Sequence, residues 1–288
     1  MSLRSNPPTF KHFTVSFPQE RIVLVSINRP EKLNCIDKAT SREIQGVWER
    51  FDQDETLWVG IITGVGRAFC TGADLQEWNA MNKAGVVNDM GAPGLAGLPR
   101  RRGKKPIIAA VNGLCMGGGF EMVANCDLVI ASSTAVFALS EVKRGIVPVA
   151  GCLPRLSRII GLQRTSELAL TGRNASAHEL HQWGLVNQVV EVDAAAAEQK
   201  EKVEQQSQSS AVLDAAVRLA QTMCNNSPDA LIVAREGIRL SWEAAGVEEA
   251  VASLADEWYP RLVRGPNFAE GIQAFVEKRL PRWQNSKL

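Results

Sequence analysis

The sequence predicts an α/β protein. Three observations carry that expectation: short apolar runs closed by glycine or a polar residue, amphipathic helical spacing between them, and helix-only patterning beyond about residue 200. Residues 1–200 are expected to form the α/β core that holds the site, and residues 201–288 a helical region for oligomerisation. A chain of 288 residues is long enough for one large domain, or for a core with such an appendage.

The elements follow in order. "RIVLVSIN" (21–28) is β-rich and closes at Arg29-Pro30. "REIQGVWERFDQD" (42–54) places apolar residues at 44, 47, 48 and 51, the spacing of one helix face. "LWVGIITG" (57–64), "PIIAAVNG" (106–113) and "CDLVIAS" (126–132) read as buried strands. Residues 79–105 lack a period and are rich in Gly, Pro and Met, so a long functional or mobile loop is expected there. Its end, "RRRGKK" (100–105), reads as a solvated loop or a contact to an anionic ligand. "EQKEKVEQQSQSS" (198–210) reads as an exposed helix extension or linker. Beyond it lie helical stretches, one opened by Ser227-Pro228-Asp229, which supplies a cap, a proline at the first turn and an early acid.

Composition narrows the function classes. A net charge of +1 gives no reason to expect nucleic acid or an anionic membrane as the main partner. No apolar stretch approaches the ~18 residues of a membrane span, and no charged-then-apolar leader opens the chain. The six cysteines are scattered without a Cys-x-x-Cys pair, as in a reducing compartment with no disulfide framework. Ser286-Lys287-Leu288, after the polar "PRWQN", is the tripeptide read by the peroxisomal import receptor, and an exposed address to the peroxisome is expected.

Neither a phosphate-binding loop nor a Gly-x-Ser-x-Gly elbow is present. Of three histidines, His178 and His181 lie on a helix opened by a Ser-x-x-Glu capping box, with no third metal ligand in view. A metal site and a histidine triad are therefore not expected. What remains is glycine and carboxylate. "CMGGGFE" (115–121) puts three glycines between an apolar run and a helix carrying Glu121. Glycine there costs stability but lets a ligand oxygen reach the N–H groups of a helix N-terminus. Gly72-Ala73 in "GRAFCTGADL" (66–75) is a second such place, and two converging N–H groups would form an oxyanion hole. Each stretch alone also fits a plain strand-to-helix turn. Glu121 also fits as a complement to the helix dipole, and Glu141, beside Lys143 and Arg144, as part of a solvated face. Spacing alone does not bring the two acids together.

"INRPEKLN", "IITGVGRAFCTGADL", "KPIIAAVNGLCMGGGFE", "CDLVIAS", "ALTGRNASAHELHQWGLVNQVV" and "EGIQAFVEKRLPRW" together resemble the crotonase (enoyl-CoA hydratase/isomerase) superfamily, in family order and over nearly the whole chain. The resemblance implies a spiral of ββα units, a C-terminal helical region that builds a homotrimer or dimer of trimers, and a coenzyme A thioester as substrate with no separate cofactor. It places the oxyanion N–H groups on Ala73 and Gly118. Glu121 would activate water for attack at C3, and Glu141 would exchange a proton with C2. Contacts to substrate and coenzyme A fall on Lys32, Arg67, Ala73, Asp74, Leu75, Gly118, Val149, Phe275 and Lys278. Retention of both glutamates favours an enoyl-CoA hydratase of fatty-acid β-oxidation or a related pathway. An enoyl-CoA isomerase, or another acyl-CoA enzyme of secondary metabolism, is the alternative. Where hydratases carry "PGAGGTQRL" this chain has "PVAGCLPRL". Val149 is expected to keep a backbone N–H near the water while its side chain reshapes the acyl pocket.

Overall fold

The computed structural model describes residues 3–5, 9–86, 91, 93–192, 203–243 and 246–288. The expected division near residue 200 and the first part of the 198–210 stretch lie outside the described residues.

The chain opens with the antiparallel pair β1 (Phe13–Ser16) and β2 (Ile22–Ile27), then α1 (Lys38–Gln53), capped by Asp37, which accepts from Thr40 N. Two ββα units follow: β3 (Val59–Gly64), β4 (Ala68–Cys70) and α2 (Leu75–Lys83), then β5 (Ile107–Val111), β6 (Leu114–Met116) and α3 (Gly118–Val123). In the next, β7 (Leu128–Ser132) and β8 (Val136–Ala138) lead into a 3₁₀ turn, Glu141–Arg144. Then come α4 (Cys152–Ile159), α5 (Leu162–Thr171), β9 (Asn174–Ser176), α6 (Ala177–Gln182) and β10 (Gln188–Val190). The helical region holds α7 (Val203–Cys224), α8 (Pro228–Glu243), α9 (Val247–Ser253), a π turn (Leu254–Trp258), α10 (Tyr259–Arg264) and α11 (Pro266–Val276).

Each ββα unit gives its first strand to one sheet and its second to another. The larger sheet runs β1-β2-β3-β5-β7-β10, parallel from β2 onward, and the smaller runs β4-β6-β8-β9. This is the expected spiral. Period-two alternation sorts the large sheet's side chains: Ile61, Ile108, Ala110 and Ile130 pack against Val212, Ala216 and Ala220 of α7. Ile62, Ile107, Ala109 and Val111 face the other way, toward Trp48 and Phe51 of α1 and the small sheet. With both faces covered, the strands read as unbroken apolar runs.

Two asparagines staple the β3–β4 turn. Asn34 is fully buried; its Nδ2 donates to Val65 O (2.9 Å) and Ala68 O (2.6 Å), and its Oδ1 accepts from Arg29 N. Asn112 Nδ2 donates to Gly66 O (2.7 Å), and its Oδ1 accepts from Gly64 N.

Three expectations change. The 79–105 stretch is not all loop: α2 runs to Lys83, and Leu95, Ala96 and Leu98 are core residues, Ala96 N donating to Ser41 Oγ. The basic cluster is not simply solvated. Lys105 is buried, and its Nζ donates to Phe51 O (2.8 Å) and Asp54 O (2.5 Å) where α1 ends, the latter carbonyl also accepting from Leu57 N. Arg101 pairs with Asp52 at 2.5 Å. Nor does the terminal tripeptide stand free. Ser286 is buried, Lys104 Nζ donates to Leu288 O, Lys287 pairs with Glu55, and Trp58 Nε1 donates to the preceding Asn285 at 3.2 Å.

Removing the Lys105 ammonium takes the buried donor from Phe51 O and one of the two donors from Asp54 O. Lys105→Met is expected to destabilise the fold by about 1–3 kcal/mol, read as a lower midpoint in urea with an unchanged slope. An unaltered midpoint would reject this capping role.

Candidate active site

The three glycines of the triplet are required for three different reasons. Gly117 has φ +55, and a Cβ there would stand 3.3 Å from Glu141 Oε1. A Cβ on Gly118 would meet Leu95 Cδ2 at 2.8 Å, and one on Gly119 would meet Cys70 O at 2.3 Å. Across from them Gly72, with φ +93, would carry a Cβ only 3.1 Å from Gly118 N. The segments 70–73 and 116–119 thus touch backbone to backbone.

That contact sets the donors. Ala73 lies in a parallel bridge with Ile36, in which Ile36 N donates to Gly72 O and Asp74 N to Ile36 O, so the bridge leaves the Ala73 N–H unused. Gly118 opens α3, where the first N–H groups have no partner in their own helix. Among the described residues neither N–H donates to a protein acceptor. The two segments predicted to carry the oxyanion donors are therefore neighbours, with both N–H groups free to meet a ligand oxygen.

Glu121 and Glu141 come together beside them. Glu121 is 8% exposed on α3, and its Oε1 accepts from Ala150 N at 2.8 Å. Glu141 is 7% exposed at the start of its 3₁₀ turn, delivered there by β8. Its Oε2 is buried and accepts no hydrogen bond among the described residues. Burial above all, with repulsion from Glu141, pushes the Glu121 carboxyl up to about 7, against the pull of the Ala150 and Cys152 N–H groups and of Arg155. Burial pushes Glu141 up too, opposed by its own N–H and by Arg144. A carboxyl that titrates near neutrality can both give and take a proton there.

A neighbour of Val149 takes part as well. The N–H of Ala150 reaches Glu121, next to Val149, whose residue is 83% exposed. The left-handed Gly151, φ +103, turns the chain so that the N–H groups of Ala150 and Cys152 face the carboxylate. Asp74 caps α2 through Gln76 N (3.0 Å) and pairs with Arg29 at 2.9 Å. Burial opposes its ionisation, but the Glu77 and Gln76 N–H groups and Arg29 outweigh it and lower its pKa. Lys32 Nζ reaches Asp74 at 3.5 Å and Gln76 at 3.3 Å, Arg67 is exposed beside it in sequence order before β4, and Leu75 is 44% exposed at the start of α2. Phe275, 85% exposed, and Lys278, with φ 55, lie at the end of α11; no contact within the described residues brings them to Lys32 or Arg67.

The family model for enoyl-CoA hydratase/isomerase matches residues 18–286. The chain belongs to the enoyl-CoA hydratase/isomerase family. Its fold is that of the crotonase superfamily: an enoyl-CoA hydratase from Mycobacterium tuberculosis superposes with a TM-score of 0.81 at 32% identity, over 96% of this chain and 99% of that one. Among curated relatives, a mevalonyl-coenzyme A hydratase of Aspergillus fumigatus is 55% identical over 281 residues, 98% of each chain. One of Beauveria bassiana is 40% identical over the full length of both. A carnitinyl-CoA dehydratase of Escherichia coli K12 is 37% identical over 91% of this chain and 95% of its own. This family member is a hydratase-type, acyl-CoA enzyme of the hydro-lyase kind, and the site just described is where such chemistry would be housed.

Burial of Glu121 has a cost that depends on pH. Its carboxyl is raised from 4.5 to about 7, so the unfolded chain releases a proton that the fold retains. The penalty is absent below 4.5 and complete above about 7. Glu121→Gln is expected to stabilise the family member at pH 8 by about 1–3 kcal/mol and to leave it unchanged at pH 4. Thermal melts at the two pH values check this; equal shifts at both would reject it.

Proposed function

We propose that this enzyme is a hydro-lyase that interconverts a 3-hydroxyacyl-CoA and the corresponding 2-enoyl-CoA, with mevalonyl-CoA as the hydroxylated partner. One observation carries the reaction type: buried Glu141 lies against Gly117 and acts by its charge on the equally buried Glu121. Support for the acyl group comes from the two mevalonyl-coenzyme A hydratases among its relatives. In a mevalonyl thioester C3 carries both the hydroxyl to be lost and a methyl group.

In the dehydration direction Glu141 takes a proton from C2. The electron pair moves into the thioester as an enolate, and the Ala73 and Gly118 N–H groups hold its oxygen. Protonated Glu121 gives its proton to the C3 hydroxyl, the C3–O bond breaks, water leaves, and the pair returns as the C2=C3 double bond. Hydration runs the same steps backward. The thioester is the substrate, and no further cofactor takes part. Lys32, Arg67, Phe275 and Lys278 are proposed to meet the nucleotide of coenzyme A. The exposed apolar side chains of Ile272, Phe275 and Val276 on α11 and Val247 and Val251 on α9 support assembly as a homotrimer or dimer of trimers.

The test is turnover of mevalonyl-CoA and of a straight-chain 2-enoyl-CoA, following the conjugated thioester. Mevalonyl-CoA should lose water, and Glu121→Gln and Glu141→Gln should each lower turnover by roughly 10²–10⁴-fold. Conversion of the straight-chain substrate alone would reassign the acyl group to fatty-acid oxidation. Movement of a double bond without exchange of water would mean isomerase chemistry.

We also propose a peroxisomal location through Ser286-Lys287-Leu288 and its import receptor. Deleting the three residues should make a fluorescent fusion cytosolic; unchanged peroxisomal fluorescence would reject the address.

A further inference from the structure

Behind the turn that holds Glu121 lies a basic side chain, Arg155, that makes no close ion pair among the described residues, though the charges of Glu243 and Glu121 both act on it. Arg155, half-buried on α4, donates from Nη1 to Gly151 O at 3.3 Å. The same nitrogen stands 2.2 Å from where a Cβ on Gly151 would be, so the guanidinium fills the notch that glycine leaves. Pro99 O, just past the 94–98 segment that walls the site through Leu95, lies 4.0 Å from that point. Arg155 thus sits where the two loops flanking the glutamates meet.

Its other side borders a cavity of about 950 Å³ that Arg100, Arg158 and Glu243 also line. Glu243 is committed elsewhere, pairing with Arg102 at 3.6 Å and Arg239 at 3.2 Å. The charged and titratable groups that face Glu121 are then Glu141 from the 3₁₀ turn, the Cys152 thiol, and Arg155. Burial pushes the thiol well above its ordinary value, which keeps it neutral.

We propose that Arg155 is a positioning residue for Glu121: wedged under Gly151, it fixes the turn whose N–H groups hold the carboxylate, and it supplies the cation that carboxylate faces. This rests on the reading of Glu121 as an acid and base in turnover. The fixing needs a planar, forked donor; the electrostatic part needs only a charge. Without the charge, burial and Glu141 act on Glu121 with less to oppose them, and its titration moves upward.

Arg155→Gln and Arg155→Lys separate the two parts. With mevalonyl-CoA, where Glu121 must be protonated to act, the alkaline limb of kcat/KM in Arg155→Gln should move to higher pH, by up to about one unit. Relative to its plateau the variant should then keep up to roughly tenfold more activity than wild type well above the limb, a difference that vanishes toward low pH. Arg155→Lys should keep the limb in place while its plateau falls about two- to fivefold, since Lys lacks the planar guanidinium whose Nη1 fills the notch at Gly151. A plateau drop in Arg155→Gln with the limb unmoved would mean a structural role only and would overturn the electrostatic part. An unchanged plateau in Arg155→Lys would overturn the fixing part. The titration of Glu121, followed by carbon-13 NMR of glutamate-labelled protein and assigned with Glu121→Gln, reads the same shift without substrate. If the wild type turns over no thioester, the functional reading fails, while this titration still decides on Arg155. Should Arg155→Gln fold poorly, Arg155→Met keeps the packed stem and makes the same neutral test.

Discussion

Two stretches of backbone pressed together without a side chain between them, 70–73 and 116–119, are the constraint on which the rest of this structure depends. A methyl group on Gly119 would overlap Cys70 O, and one on Gly72 would crowd Gly118 N. The contact joins the second strands of successive ββα units, β4 and β6, and brings two unpaired N–H groups to one place. Asn34 and Asn112 serve it from behind. By satisfying the carbonyls of residues 65, 66 and 68, they fix the turn that aims Gly72 at Gly118. Backbone groups buried in so tight a turn would otherwise be left without partners, which is expensive in the interior.

The two buried carboxylates work against the fold. Each is desolvated and each repels the other, so the site lowers stability where it is most useful chemically. The offset comes from apolar packing on both faces of the large sheet and from polar groups that are fully used, such as the Lys105 ammonium at the end of α1. Among the described residues Glu141 Oε2 is one of four exceptions, with Trp48 Nε1, Arg101 Nε and Asp229 Oδ1, and the one beside the segment where a substrate oxygen would lie.

Strands β2, β3, β5 and β7 and helix α1 were legible because their residues answer to local rules: alternation, helical spacing, glycine at the ends. The pieces of the site were legible as well, as glycines before a helix and as two acids. Their convergence was not. Glu141 reaches Glu121 only because β8 pairs with β6 in a sheet separate from that of β5 and β7, and no spacing along the chain encodes such a pairing. Lys105 and Arg101 were misleading for a related reason. Charged side chains in a Gly-containing run look solvated until the end of α1, some fifty residues earlier, supplies carbonyls and Asp52 for them. Ala150 could have been found from Gly151, whose left-handed turn is a signal that nearby N–H groups are being aimed.

The large sheet has a face that belongs to α7. Ile61 and Ile108 are laid down early in the chain, yet the residues that cover them, Val212 and Ala216, come more than a hundred positions later. During synthesis on the ribosome, β2, β3, β5 and β7 can pair while that face is still bare. A nascent chain at this stage presents a row of parallel, apolar strands to its surroundings, the kind of surface that associates with other chains. The order of synthesis thus leaves an apolar face bare until α7 emerges, an exposure that the finished, closed structure does not reveal.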